Sequence, residues 1–237
     1  MLCKNPCTWA VAALLALAAL FGLLFGGGGG AGSSSQTPGD TDYSVILGND
    51  LPDGARKDFI AFQDNQADKN ALQSALAGLT PDAAGALQAG KALQVYNTTS
   101  GYSGAASSLT SALGLGNPSL RGGNAPGGAM YDLVNNPNNN AGQTVKYGLL
   151  FAAPADLSLD DAVQQVADRV DLILEDLPES NAPATPAYTY RYVVSTSVES
   201  ASAPASSGSP AAANYILVTI TRIPTAGSTS SSSTSAA

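Results

Sequence analysis

Hydrophobic and polar positions divide the chain into stretches of very different rhythm. Residues 8–25, TWAVAALLALAALFGLLF, are apolar and carry no charge. As a helix rising about 1.5 Å per residue, this run spans roughly 27 Å, close to the hydrocarbon thickness of a bilayer. Trp9 stands at its start, where an amphipathic ring suits the membrane interface. Residues 26–42 then lose all large apolar side chains and become a Gly/Ser-rich tether.

Beyond the tether the pattern returns in short pieces. Residues 43–47 (YSVIL) form an apolar run with strand character, and Pro52-Asp53-Gly54 is turn chemistry. From Ala55 onward Phe59, Phe62, Ala67, Leu72, Leu76 and Leu79 recur at helical spacing, with Arg56, Lys57, Asp64 and Lys69 off that face. Thr80-Pro81-Asp82 predicts a second helix start, with a cap, a proline in the first turn and an early acid. Ala84, Leu87, Leu93 and Val95 would be its buried side, ending near Tyr96. A third helix is predicted over residues 103–113. Residues 117–141 are rich in Gly, Pro and Asn, which reads as a long surface loop with one helical turn at 129–134.

The last third carries the strongest periodicity. Residues 144–151 (TVKYGLLF) predict a strand ended by Pro154. Ser158 and Asp161 form an acidic variant of the capping box. The helix that follows places Leu159, Val163, Val166, Val170, Ile173, Leu174 and Leu177 on one face, and Pro178 stops it. Over 188–198 the residues Tyr188, Tyr190, Tyr192, Val194, Thr196 and Val198 alternate, the period of a strand. Residues 200–213 read as a Ser/Ala/Pro loop, 215–223 (YILVTITRI) as the final strand, and 225–237 as a disordered Ser/Thr tail.

These elements predict one α+β domain over residues 43–224. It has a helical N-terminal part (53–116), the loop (117–141) and a C-terminal β-α-β-β unit (142–224) with a three- to four-stranded mixed sheet. A right-handed crossover makes the first two strands of that unit parallel, and the last two pair as an antiparallel hairpin. One helix covers one sheet face, and the helices of residues 55–113 are available for the other.

Charge sets the direction of the N-terminal run. Lys4 and the amino terminus precede it, and Asp40, Asp42, Asp50 and Asp53 are the first charges after it. That asymmetry predicts residues 1–7 as a cytoplasmic stub, 8–25 as an anchor in the lipid bilayer and the domain outside. The competing reading is a signal peptide cleaved near Ala31. The length of the run exceeds an ordinary signal core and favours the anchor. Gly22 and Gly26 make one GxxxG spacing.

Composition narrows the chemistry. The chain has no His, and its two Cys, Cys3 and Cys7, both precede the apolar run. Ser-His-Asp and Cys-His catalysis, His- or Cys-ligated zinc and disulfides in the domain are thereby excluded. Net charge is −8 and charged residues are 12% of the chain, which argues against nucleic acid as a partner. No cofactor is expected. Residues 85–92 (GALQAGKA) approach a phosphate-binding loop in the spacing of Gly85, Gly90 and Lys91, but Ala92 lacks the hydroxyl needed for magnesium. The early aspartates lack the ligand spacing of a calcium loop. Asn97-Thr98-Thr99 is a glycosylation triplet.

Two binding faces remain. Tyr188, Tyr190 and Tyr192 share a strand face, which is sheet packing if covered and a carbohydrate or peptide platform if open. Asp160, Asp161, Asp168 and Asp171 make an acidic helix suited to a basic partner. The sequence therefore predicts a non-enzymatic, membrane-anchored envelope protein that binds another envelope protein or serves as an accessory subunit. The enzymatic alternative is a small hydrolase with a carboxylate pair or a Ser–Lys dyad, for which Lys146 is the one lysine in the β-α-β-β unit.

Overall fold

The computed structural model describes residues 41–116, 119–121 and 131–227. The run 8–25, Cys3, Lys4, Cys7, Asp40 and residues 228–237 lie outside the described residues. Among the described residues, no helix is long and apolar enough to cross a membrane.

The domain is α+β, with a five-stranded mixed sheet ordered β1-β4-β5-β3-β2. The strands are β1 (Ile60–Phe62), β2 (Leu93–Val95), β3 (Val145–Pro154), β4 (Tyr188–Ala203) and β5 (Ala211–Ala226). Five α-helices accompany them among the described residues: α1 (Tyr43–Asp50), α2 (Gln66–Ala75), α3 (Ser103–Leu113), α4 (Tyr131–Asn135) and α5 (Leu159–Leu174).

The C-terminal unit follows its pattern closely. Ser158 caps α5, accepting from the Asp161 amide at 3.1 Å while its hydroxyl donates to Asp161 Oδ2 at 2.6 Å. Leu177 remains buried after the helix ends at Leu174. β3 and β4 run in the same direction because each is antiparallel to β5, which lies between them. The crossover through α5 therefore skips one position, and the hairpin strand β5 occupies the gap.

The hairpin is longer than predicted. Its strands run to Ala203 and from Ala211, so the loop of 200–213 shrinks to residues 204–210. Thr225 and Ala226 belong to β5, opposite Thr189 and Tyr188, rather than to a tail. The residues added at the tip end are Ser and Ala, which have weak strand preference of their own. The ladder to 211–217 holds them extended.

The N-terminal half departs most from expectation. Residues 43–47 are helical, because Asp42 accepts from the amides of Ser44 and Val45 and starts α1. The helix predicted from Ala55 is interrupted: a 3-10 turn, the strand β1 and only then α2, started by the Asn65 side chain. β1 pairs parallel to β4 through residues 192–194. The Thr80 start yields a 3-10 turn at Ala83–Ala86, and Leu93 and Val95 lie on β2, antiparallel to β3. Both edge strands thus come from a region whose apolar spacing resembles a helix. The third helix stands at Ser103–Leu113, ended by Gly114 in the left-handed conformation at φ 58°. The predicted helical turn of the loop is α4, and the loop is not wholly superficial: Ser119, Leu120 and Leu133 are buried.

The sheet separates two cores. On one side Tyr147, Leu149, Phe151, Tyr190, Tyr192, Val194, Ile216, Val218 and Ile220 meet residues of α1, α4 and α5. On the other, Leu150, Ala152, Tyr215 and Leu217 meet Leu72, Ala75, Ala106 and Leu109 of α2 and α3. Helices from residues 55–113 do cover the second face, as the burial argument required.

Candidate functional site

Each charged side chain buried in the sheet is held by neighbours. Asp68, in the first turn of α2, is 1% exposed. Its Oδ1 accepts from Lys146 Nζ at 2.6 Å and its Oδ2 from the Thr219 hydroxyl at 2.6 Å. An ion-paired ammonium has no lone pair with which to activate a nucleophile. Ser195 faces Thr219 across the β4–β5 ladder, and its buried hydroxyl has no partner. Lys146 is therefore joined to a carboxylate, and no serine shares a hydrogen bond with it among those described.

Arg222 is fully buried on the opposite face. Its Nη2 donates to the carbonyls of Asn139 at 2.6 Å and Asn140 at 3.1 Å, and its guanidinium lies 4.6 Å from the Tyr190 ring centre. Carbonyl dipoles and a π-face take the place of a counter-ion. The Tyr190 hydroxyl donates to the Pro137 carbonyl at 2.6 Å, so the same pair fastens the segment after α4 to the sheet.

The tyrosine stripe is packing. Tyr190 and Tyr192 are buried, and their rings meet edge to face with centres 6.4 Å apart. Tyr192 donates to the Pro178 carbonyl at 2.8 Å. Burial raises the pKa of both phenols, with the Arg222 charge opposing the rise. Tyr188 is half-buried, so the platform for a carbohydrate or peptide is covered.

The other candidates fall in scattered places. On α5, Asp160, Asp161 and Asp168 are exposed and Asp171 is half-buried. Asp161 belongs to the cap and Asp168 accepts from Gln164 at 3.2 Å, while Leu172 beside them is 60% exposed. Asp42 caps α1 and Asp53 pairs with Arg56. Among the described residues, no group of acids gathers as a metal site. The 85–92 segment is a turn rather than a helix: Lys91 bridges to Gln88, and the Ala92 amide donates to Gln165 Oε1 at 2.9 Å. Asn97 is exposed just after β2.

What the fold does build is a strand edge. In β4 the outward-facing backbone groups belong to even-numbered residues, and along most of the strand they are occupied. The Asn181 amide donates to the Tyr188 carbonyl at 3.2 Å, and the Tyr190 amide to the Glu179 carbonyl at 2.7 Å. The Tyr192 amide donates to Phe59, and the Val194 carbonyl accepts from Gln63 at 2.9 Å. The Thr196 amide donates to the Ser44 hydroxyl at 2.8 Å. Then cover ends, because β1 gives way to α2 at the Asn65 cap.

The β4–β5 register continues without a bulge to Ala203, so Val198, Ser200 and Ser202 also face outward. Among the described residues their outward N–H and C=O groups have no partner. Ser200 and Ser202 are exposed, and Val198, Glu199 and Ala201 are half-buried. The sequence marked this row only as far as Val198, since the run of Ser and Ala after it lacks the apolar alternation that identifies a strand.

The chain matches no known protein family, no curated protein and no solved structure.

Proposed function

We propose that this chain is a membrane-anchored, outward-facing protein-association domain of the cell envelope, a non-enzymatic binding component or accessory subunit. The observation that carries the reading is the open row Val198, Ser200 and Ser202 on β4. An unpaired strand edge recognises another polypeptide through main-chain hydrogen bonds, without needing a catalytic group or a cofactor. It also fits a chain whose buried charges, Asp68 and Arg222, are engaged in holding the fold, Asp68 through the half-buried Lys146 and Thr219. The apolar run 8–25 behind Lys4 supports the address.

Two measurements on the full chain in its own membranes test this. An impermeant maleimide applied to intact cells should label Ser206→Cys and leave Cys3 and Cys7 unlabelled; the reverse pattern overturns the orientation. A photo-crosslinking side chain at Ser200 should give a discrete protein adduct that the same probe at exposed Asp160 does not. Equal, diffuse labelling from both positions overturns the association reading.

A further inference from the structure

Between α3 and the loop that follows it lies a cavity of about 320 Å³. Ala106, Leu115 and Leu120, all buried, give it an apolar floor. Asn97, Ser107, Ser111 and Arg121 line its walls. No acid lines it, although acids outnumber basic residues 18 to 10 along the chain. Ser107, Ser111 and Arg121 are exposed, and among the described residues their side chains make no hydrogen bond or ion pair.

The loop fixes where Arg121 stands. Leu120 adopts φ 56°, a conformation that bulky side chains rarely take. Its surroundings hold it there. The Leu120 side chain is 2% exposed, and its carbonyl accepts from the Asn97 amide at 2.8 Å. The adjoining Ser119 hydroxyl accepts from the Gly148 amide at 3.2 Å. Backbone strain secured in this way sets the point from which the Arg121 side chain departs.

The chemistry of the lining selects the ligand. A guanidinium fork takes a carboxylate through two parallel hydrogen bonds. A phosphate monoester carries a charge of about −1.5 to −2, more than one guanidinium offsets in a chain of net charge −8. Ser107 and Ser111 stand one turn apart on α3, with β-carbons about 5–6 Å from each other, which suits a ligand bearing several hydroxyls. None of the lining residues is aromatic, so polar contacts rather than ring stacking do the recognising. The volume is at the lower end for ligand pockets, room for one sugar ring rather than a chain of them.

We propose that this cavity binds a sugar acid, a single ring whose carboxylate meets Arg121 and whose hydroxyls meet Ser107, Ser111 and Asn97. The site shares no residue with the strand edge. It adds a small ligand to the association reading, which keeps its own test at Ser200.

The test is isothermal titration calorimetry on the full chain, in a detergent without sugar head groups, with glucuronate as the probe. Saturable binding should appear with a Kd of about 1 mM or tighter. Glucose lacks the carboxylate and acetate lacks the hydroxyls, so each should bind about 10-fold more weakly or worse. Arg121→Gln should lose about 10-fold or more, and Arg121→Lys, which keeps the charge without the fork, should restore only part of it. Ser107→Ala and Ser111→Ala should each cost about 3-fold. All four changes are at exposed positions, so the circular dichroism should stay unchanged.

No saturation by glucuronate up to about 10 mM overturns the proposal. So does full affinity in Arg121→Gln, or glucose or acetate binding as tightly as glucuronate. Inorganic phosphate binding more tightly than glucuronate overturns it in favour of a phosphate ester. None of these results touches the crosslinking at Ser200, and loss of that crosslink leaves the sugar-acid site standing.

Discussion

Lys146 and Asp68 differ in how far each is removed from water, and that difference predicts unequal consequences. The Asp68 side chain is 1% exposed and the Lys146 side chain 19%. Lys146→Met strands a carboxylate in the sheet–helix interface with only the Thr219 hydroxyl, and should cost about 3–5 kcal/mol. Asp68→Asn leaves a lysine whose flexible stem can carry the ammonium toward solvent, and should cost less, about 1–3 kcal/mol. The joint replacement by apolar side chains should recover much of the larger loss. Urea midpoints of the four proteins measure this; equal single-mutant costs would mean that Lys146 is as confined as Asp68. The identity of this pair was not legible in the sequence, where Asp68 and Lys146 stand far apart in elements of different kinds. An acid in the first turn of a helix is ordinarily explained by the helix dipole alone.

Elements were legible where side-chain chemistry and periodicity agreed. α5 has both, with Ser158 and Asp161 at its start and a complete apolar face. Ser158→Ala should lower stability by about 1 kcal/mol, read as a shift in the urea midpoint with an unchanged slope. A cap on a helix buried along one face acts on the whole fold, so no loss at all would mean that Asp161 alone secures the first turn. α1 shows the opposite case. Its apolar letters resemble a strand, and the deciding feature is one carboxylate, Asp42, accepting from two amides. β1 and β2 were hidden for another reason. Each is three residues long, too short for a two-residue period to register, and each exists because a long neighbour, β4 or β3, offers an edge to pair with. The open row is illegible beyond Val198 for the same reason: the extended conformation of Ser200 and Ser202 comes from the ladder across the hairpin, not from their own Ser and Ala sequence.

At the scale of the whole molecule, the buried tyrosines tie stability to alkaline pH. Tyr190 and Tyr192 lie in the core on the α5 side, Tyr102 and Tyr215 in the core on the α3 side. Burial raises all four phenols above their ordinary value, since the phenolate would lose its hydration in either core. The unfolded chain ionises them near pH 10, as model tyrosines do. Above that pH the folded state therefore holds protons that the unfolded state has lost, and stability falls as pH rises. The stabilising contribution is complete below about pH 10 and disappears as pH climbs toward the folded values. Each protected phenol contributes a limiting slope of about 1.4 kcal/mol per pH unit. The four are divided between both faces of one sheet, so if the two cores open as one cooperative unit, all four should ionise in a single transition. Absorbance at 295 nm should show these four phenols ionising together with the loss of near-ultraviolet circular dichroism. Ionisation of these four near pH 10 with the dichroism intact would mean that the sheet opens locally, and that its two cores are not one cooperative unit.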